Sequence, residues 1–255
     1  MEEIIGIRPS KGSLAEYGVT YKQVELLEDG SFNYEGIRNA ISDKTKMMTI
    51  QRSKGYLTRP TFSVKQIGEL IAFIKGINPN IICMVDNCYG EFVECNEPSD
   101  VGADMVVGSL IKNPGGGLAP IGGYICGTKE CVENAYYRLT APGLGAEVGA
   151  TLGHNRELYM GLFYAPHTVG EALKSAVYIA ALFTLFGYDV TPAYNEKRCD
   201  IVQSLGLENE ESLVAFCQGI QSGSPIDSFL YPEPWDMPGY DSKVVMAAGA
   251  FTLGS

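Results

Sequence analysis

The chain has 255 residues, of which 45% are apolar and 19% charged, a composition typical of a globular protein with an apolar core. A formal net charge of −11, without any Lys/Arg-rich run, argues against a nucleic-acid partner. There is no signal-peptide pattern, the longest apolar stretch (176–186) is too short to cross a bilayer, and the seven cysteines are irregularly spaced. We therefore expect a soluble cytoplasmic protein with no membrane partner.

The first 140 residues alternate between short apolar strands and amphipathic helices. Helices are expected from Asn33 to 41, from Ser63 to 75 and from Thr128 to about 139, each after a capping residue. Strands are expected at 4–7, 21–27, 46–51, 81–85, 105–107 and 121–126. This alternation predicts an α/β fold with a mainly parallel sheet that is covered on both faces. In such sheets a ligand binds beyond the carboxyl ends of the strands.

The pattern changes after residue 145. Residues 147–186 are expected to be mainly helical with a break at Pro166, and a helix is expected at 210–219. Strands are expected around that helix, at 200–205, 229–231 and 244–248. We therefore predict two domains: a large domain over 1–165 that binds the ligand, and a connecting helix with a smaller α/β domain over 166–255.

Asp86 and Lys112 give the strongest functional signal in the chain. Asp86 ends an apolar strand in VDNCYGEF, and Lys112 follows the next strand in GSLIKNPGGG. A buried lysine is costly unless it is paired or covalently modified, and a buried aspartate needs a cation or several donors. Pyridoxal phosphate (PLP) meets both needs, because its aldehyde bonds to a lysine amine and its pyridine N–H pairs with a carboxylate. The alternatives are a solvated surface lysine and an aspartate that caps the following loop.

Four further residues near these strand ends are candidates for binding PLP. Ser109 precedes Lys112 by three positions and offers a hydroxyl and an N–H to the phosphate. Gln51 and Arg52 stand at the end of the 46–51 strand, where a donor reaches the phenolic oxygen of PLP or an anionic group; a solvent-exposed Arg52 is an equal alternative. Tyr89, three residues after Asp86, either faces the pocket or packs in its rim.

Two other kinds of site have less support from the sequence. A metal site built from Asp86, Glu91 and Glu94 would lack both a histidine and regular carboxylate spacing, so we expect no metal. The two histidines, His154 and His167, are expected to be structural, since no G-x-S-x-G nucleophile motif is present.

Six blocks of this sequence resemble the PLP-dependent methionine gamma-lyase-like family, also described as aluminium resistance proteins and as cystathionine beta-lyase-related proteins. These blocks run along the whole chain and are MTIQRSKGYLTRP, MVDNCYGEFVE, GADMVVGSLIKNPGGGLAPIGGYI, RLTAPGLGAEVG, FCQGIQSGSPIDS and MPGYDSKVVMAAGAF. The resemblance implies an aspartate aminotransferase-like fold (fold type I) with a large and a smaller C-terminal α/β domain. It implies that Lys112 bonds to the cofactor aldehyde, Asp86 binds the pyridine nitrogen, Ser109 contacts the phosphate and the block 51–53 contributes to the pocket.

The activity implied by this resemblance is that of a carbon–sulfur lyase that acts on a small sulfur-containing amino acid. The elimination would be of the methionine gamma-lyase or the cystathionine beta-lyase type. Aldol cleavage, transamination and a non-catalytic role in association are the alternatives. Members of this fold type work as dimers or tetramers, so we expect a homodimer or homotetramer. The family's glycine-containing phosphate loop, ring-stacking aromatic and carboxylate-binding arginine have no counterpart in this sequence, which therefore resembles an internal fragment of a longer protein.

Overall fold

The computed structural model describes residues 2–7, 11–55, 57–148, 153–237, 240 and 242–250. In chain order the helices are α1 Glu2–Ile5, α2 Tyr34–Ala40, α3 Val64–Ile77, α4 Lys129–Leu139, α5 Asn155–Leu185 and α6 Glu210–Ser222. The strands are β1 Met47–Gln51, β2 Ile82–Asp86, β3 Met105–Ser109, β4 Gly123–Gly127, β5 Asp189–Thr191 and β6 Ser204–Gly206. Short 3-10 helices cover Leu14–Tyr17, Pro98–Val101, Asn113–Gly115 and Gly145–Val148.

These residues form two compact units. Among the described residues, one unit spans Asp43–Leu207, and the other combines the residues up to Ser42 with residues 208–250. Compact units need not coincide with the domains of a fold, so the predicted domains over 1–165 and 166–255 stay a prediction.

The first unit contains a four-stranded sheet in the order β1-β2-β3-β4. Strands β1, β2 and β3 are parallel, and β4 runs antiparallel to β3. The protein is therefore an α/β protein with a mixed sheet in which the parallel strands predominate. All four strands were predicted, with bounds that differ by one or two residues. The antiparallel direction of β4 was not predicted.

Helix α3 covers one face of this sheet and forms its core. Ser63 caps the helix through a capping box with Gln66: the Ser63 hydroxyl accepts a hydrogen bond from the Gln66 N–H, and the Gln66 side chain accepts one from the Ser63 N–H. The helix buries Val64, Ile67, Leu70, Ile71 and Ile74, and the sheet buries Cys83, Val85 and Val106. Each large apolar side chain buried in this way contributes about 1.5–3 kcal/mol.

Helix α5 continues through Pro166, so the predicted helix break is wrong. The helix packs closely on the 3-10 turn that follows Lys112: a Cβ placed on Gly161 would lie 2.2 Å from the carbonyl oxygen of Gly115. Ala165 in the next turn is fully buried. This packing holds the turn of the helix that precedes Pro166, whose missing N–H would otherwise favour a break. Residues 149–152, which belong to the predicted helical segment, lie outside the described residues.

By length and composition alone, α5 is the one helix of the described chain that could cross a membrane. Its small residues Gly161, Ala165, Ala176 and Ala180 are nevertheless buried within the protein. These contacts are those of a helix packed on a folded domain. In the same unit, β5 and β6 form a separate antiparallel pair, and the predicted 200–205 strand is confirmed only where it overlaps β6.

The second unit contains α1, α2 and α6 and an isolated bridge between Trp235 and Val244. The predicted Asn33 cap and helix α2 are confirmed, since the Asn33 side chain accepts from the Gly36 N–H, and the predicted helix at 210–219 is confirmed as α6. The predicted strands at 4–7, 21–27, 229–231 and 244–248 are wrong. Residues 2–5 are helical and the other three segments have no strand ladder in the described structure, because apolar side chains do not form a strand without a hydrogen-bonding partner strand.

Candidate active site

Three of the predicted site residues lie together at the carboxyl edge of the sheet. Gln51 and Asp86 are the last residues of β1 and β2 and are paired in register. Asp86 is also in register with Val107, and Ser109 ends β3 two residues further along. Because side chains alternate between the faces of a strand, Gln51, Asp86 and Ser109 all project from the same face.

Lys112 follows this edge in a tight turn and contacts Tyr89. The Lys112 N–H donates to the Ser109 carbonyl at 3.3 Å, and the Gly115 N–H donates to the Lys112 carbonyl at 2.9 Å. The Lys112 amine donates to the Tyr89 hydroxyl at 2.6 Å and lies 4.4 Å from the centroid of the Tyr89 ring. The structure therefore places Tyr89 against the lysine.

The Asp86 carboxylate keeps acceptor capacity free. Its Oδ1 accepts the backbone N–H of Cys88 at 3.2 Å. The Cys88 thiol hydrogen-bonds to the same carboxylate. A carboxylate has about four lone-pair sites, so a further donor can still bind to Asp86. Among the described residues, the Ser109 hydroxyl has no protein hydrogen-bond partner. Burial, together with the negative charge of Asp86, raises the pKa of the Cys88 thiol to about 12. The thiol beside Asp86 is therefore neutral at physiological pH.

Arg52 lies on the opposite face of the sheet from Gln51 and Asp86. Its side chain is fully buried, so the alternative of a solvent-exposed arginine is wrong. Its guanidinium donates to Asn87 Oδ1 at 2.8 Å, to Glu94 Oε2 at 2.9 Å and to Glu97 Oε2 at 3.4 Å. Arg52 is thus occupied by a buried network, and its predicted cofactor contact stays a prediction. The neighbouring Ser53 is also buried, and its hydroxyl donates to Asp200 at 2.6 Å.

The sequence reasoning missed a row of buried polar groups behind these strand ends. Arg52 and Asn87 continue β1 and β2 by one residue, and Gly108 of β3 pairs with Tyr124 of β4. Asn87 is 2% exposed and its Nδ2 donates to the Tyr124 hydroxyl at 3.4 Å. The Tyr124 hydroxyl in turn donates to Oε1 of Glu91, which is 3% exposed.

One sequence signal could have revealed this row. Gly108 follows two valines in β3, and a glycine in a strand often marks a close approach by another group. A Cβ at Gly108 would lie 2.6 Å from both Glu91 Oε1 and the Tyr124 hydroxyl. The glycine therefore makes room for the carboxyl of Glu91.

The predicted alternative of a metal site finds no support in the geometry. Glu94 pairs with Arg52 and Lys197, while Glu91 is bound to Tyr124. Over the described ranges, no group of three or more His, Cys, Asp or Glu side chains is placed to hold a metal ion.

The sheet face that carries Gln51, Asp86 and Ser109 is called the open face here. The residues on the open face fit PLP. Lys112 supplies an amine, Asp86 has remaining acceptor capacity for a pyridine N–H, and Ser109 has an unpaired hydroxyl for a phosphate. These groups are the donors and acceptors that the cofactor requires, and they lie at one sheet edge. Tyr89 joins the set through its contact with Lys112.

Two solved structures are similar to this chain over nearly its whole length. A structure from Listeria innocua, which carries the provisional description of a cystathionine beta-lyase involved in aluminum resistance, is 48% identical with a TM-score of 0.95. A structure described as a carbon-sulfur lyase involved in aluminum resistance, from Clostridium novyi NT, is 49% identical with a TM-score of 0.92. Each comparison covers 98% of this chain, and 62% and 59% of the respective relative.

An uncharacterized protein from Bacillus subtilis is 48% identical over 100% of this chain and 61% of its own length. The chain thus spans about three fifths of the length of these three relatives. The cystathionine gamma-lyase of Lactobacillus plantarum, at 18% identity and a TM-score of 0.53 over 71% of this chain, shares the fold. The family model for methionine gamma-lyase matches residues 1–255, and the chain therefore belongs to the methionine gamma-lyase family.

Proposed function

We propose that this protein is a PLP-dependent carbon–sulfur lyase that acts on a small sulfur-containing amino acid. The observation that supports this most directly is the position of the Lys112 amine, in contact with Tyr89 and beside the sheet edge that carries Asp86 and Ser109. The family membership and the carbon-sulfur lyase from Clostridium novyi support the same reaction class.

Each of these residues would have a distinct task. Asp86 would hold PLP through its carboxylate and keep the pyridine nitrogen protonated, and the Ser109 hydroxyl would bind the phosphate. When bound, PLP supplies a sink for the electron pair that is left at the substrate Cα after deprotonation. The Lys112 amine would bind the aldehyde and, once displaced by the substrate amine, remove the Cα proton.

The Tyr89 hydroxyl would orient the Lys112 amine during this proton transfer. The carbon–sulfur bond would then break, and the thiolate would leave with the electron pair of that bond and take up a proton. Hydrolysis of the unsaturated amine product would release a 2-oxo acid and ammonia. The overall reaction therefore consumes water and needs no external oxidant or reductant.

Reductive trapping tests the cofactor assignment. The protein would be incubated with PLP, treated with borohydride and digested, and the label would be located by peptide mapping. The label is expected on Lys112 and absent from Lys112→Ala, which should also lose turnover. Lys129→Ala, at an exposed lysine in α4, is the matched control and should label normally. A label on another residue, or none, would refute the assignment.

Product analysis separates the reaction types. Cystathionine, methionine and serine would be supplied in turn to the protein incubated with PLP and not treated with borohydride. Release of a thiol together with a 2-oxo acid supports the lyase, and the substrate that yields it distinguishes beta- from gamma-elimination. Aldehyde release from serine would indicate aldol cleavage, and amino transfer without thiol release would indicate transamination. A protein that takes no label and only self-associates would be the non-catalytic alternative.

We further propose a homodimer or homotetramer in the cytoplasm. Helix α5 exposes large aromatic side chains, with Tyr159 73% and Phe163 79% exposed, and such patches favour association. Sedimentation of the protein expressed from its complete reading frame would test this. Phe163→Glu should shift the assembly towards the monomer, whereas Glu130→Gln in exposed α4 should not.

A further inference from the structure

Glu91 is a buried carboxyl that the proposed reaction does not use. Its side chain is 3% exposed and its Oε1 accepts the Tyr124 hydroxyl at 2.9 Å. Its Oε2 is buried and has no hydrogen-bond partner in the described part of the chain. Burying an unpaired carboxyl oxygen is costly, so the position of Glu91 needs an explanation beyond packing.

Glu91 contacts the chain neighbours of two site residues directly. Gly108 precedes Ser109, and a Cβ at Gly108 would lie 2.6 Å from Glu91 Oε1, so the carboxyl rests on the strand backbone. Asn113 follows Lys112, and its side chain donates to the Glu91 carbonyl at 3.0 Å. Asn113 is itself 6% exposed. One residue therefore holds both ends of the turn from Ser109 to Lys112.

A third contact extends to Asp86. The Tyr124 hydroxyl donates to Glu91 and accepts from Asn87 Nδ2. Asn87 follows Asp86 directly, and its amide oxygen is bound by the Arg52 guanidinium. The chain of hydrogen bonds from Glu91 thus crosses the ends of β4, β2 and β1.

We propose that Glu91 is a positioning residue of the site. Its carboxyl supports the strand ends beside Asp86 and Ser109, and its main-chain carbonyl, through Asn113, supports the turn to Lys112, so that all three site residues are held on the opposite face of the sheet. This inference rests on the proposed function. It adds a residue that lies behind the sheet and touches neither the substrate nor the cofactor.

The charges around Glu91 make this role sensitive to pH. Burial, and to a smaller extent the charge of Glu97, raises the pKa of Glu91 to about 7. The hydrogen bond from Tyr124 and the charge of Arg52, which is already paired with Glu94 and Glu97, lower it. Above that pH an unpaired negative charge would rest against Gly108, and the turn to Lys112 would be disturbed.

The test compares PLP affinity in wild type and Glu91→Gln from pH 6 to pH 8.5, with PLP itself as the probe. The amide oxygen of the variant can still accept from Tyr124, and the side chain stays neutral. Lys112 and PLP titrate in both proteins, so their effects on affinity cancel in the ratio of the two dissociation constants. We expect the wild type to weaken relative to the variant by roughly tenfold across this range, with a midpoint near pH 7. A ratio that is independent of pH would overturn the inference.

Tyr124→Phe provides a second, independent measurement. Loss of the hydroxyl removes a hydrogen bond that lowers the pKa of Glu91, so the midpoint should move to higher pH. An unchanged midpoint would contradict the role of the Tyr124–Glu91 pair. Asp104→Asn is the matched control, because Asp104 is a partly buried carboxylate, paired with Lys75, at the opposite end of the same strands. Asp104→Asn should lower stability, but the ratio of the wild-type PLP dissociation constant to that of this variant should not change near pH 7.

Borohydride labelling of each variant separates this inference from the proposed function. Label on Lys112 in every variant, with a ratio independent of pH, would refute the role of Glu91 alone. If the wild type takes no label, the assignment of PLP to this site fails instead.

Discussion

The Lys112 amine lies 2.6 Å from the Tyr89 hydroxyl, and the backbone of Tyr89 has a φ of 71°. A tyrosine in this left-handed region is strained by roughly 1–2 kcal/mol. The Ile201 N–H donates to the Tyr89 carbonyl and helps to hold that conformation. Because strained residues cluster at functional sites, the combination of strain and contact with the proposed catalytic amine supports an active role for Tyr89.

Tyr89→Phe should slow turnover by about tenfold to a hundredfold, because a hydrogen bond to a charged group contributes about 1.5–3 kcal/mol. The ring and the backbone conformation are retained, so stability in urea should change little. Steady-state kinetics on the substrate identified by product analysis would measure the effect. Tyr159→Phe, at a 73% exposed tyrosine, is the control. Equal rates for the two variants would exclude a role for the hydroxyl.

Arg52→Met should lower the free energy of unfolding by about 3–5 kcal/mol, because it leaves the carboxylates of Glu94 and Glu97 without their buried cation. Urea denaturation would measure the change. Lys65→Met breaks a solvent-exposed pair with Glu69 and should cost at most about 1 kcal/mol. Similar losses in both variants would mean that the buried pairs contribute little.

Gly161→Ala should destabilise the protein by about 2 kcal/mol or more, since the new Cβ would lie 2.2 Å from the Gly115 carbonyl oxygen, which is part of the backbone and cannot rotate away. Gly170→Ala, in the same helix, meets no atom within 4 Å and should stabilise by about 0.5–1 kcal/mol through helix propensity. Thermal or urea unfolding of the two variants gives the comparison. A stabilising effect at both positions would show that α5 and the backbone of Gly115 can move apart at little energetic cost.

The stability of the protein should fall between pH 4.5 and pH 7 through Glu91. Its pKa is about 7 in the folded protein against an ordinary value of 4.5, so the unfolded chain loses this proton first. Neutral Glu91 therefore contributes stability that is complete below pH 4.5 and is lost as the pH approaches 7, by about 3 kcal/mol.

Glu91→Gln removes this titration and leaves the others in place. The difference in unfolding free energy between the variant and the wild type should grow in favour of the variant from pH 5 to pH 7.5. Urea titrations at both pH values would measure it. A constant difference would show that Glu91 titrates as it does in the unfolded chain.

Much of the first unit could be predicted from local sequence patterns. Ser63 with Gln66 defines the start of α3, and its apolar spacing defines the buried face. The edge formed by Gln51, Asp86 and Ser109 followed from the rule that parallel strands share a carboxyl edge. The residue roles at that edge stay predictions until cofactor binding is measured.

Other features depend on contacts that a single sequence does not encode. The segment 121–126 has the same apolar character in either strand direction, so β4 could not be recognised as antiparallel. Glu91 and Arg52 are charged residues in loop-like segments, where exposure is the usual expectation, and both are buried by partners far apart in the chain. The predicted 21–27 and 229–231 strands failed because an apolar segment forms a strand only beside a partner.

At the end of each parallel strand, two adjacent residues lie on opposite faces of the sheet. These pairs are Gln51 and Arg52, Asp86 and Asn87, and Ser109 and Gly108. A substitution at one position changes one face only. A single-residue insertion or deletion just before any of these pairs would exchange the two faces, placing Arg52 or Asn87 on the open side and forcing Gln51 or Asp86 into the interior. The spacing of these strands is therefore more constrained than their composition, and variants of this protein should tolerate changes in residue type far better than changes in strand length.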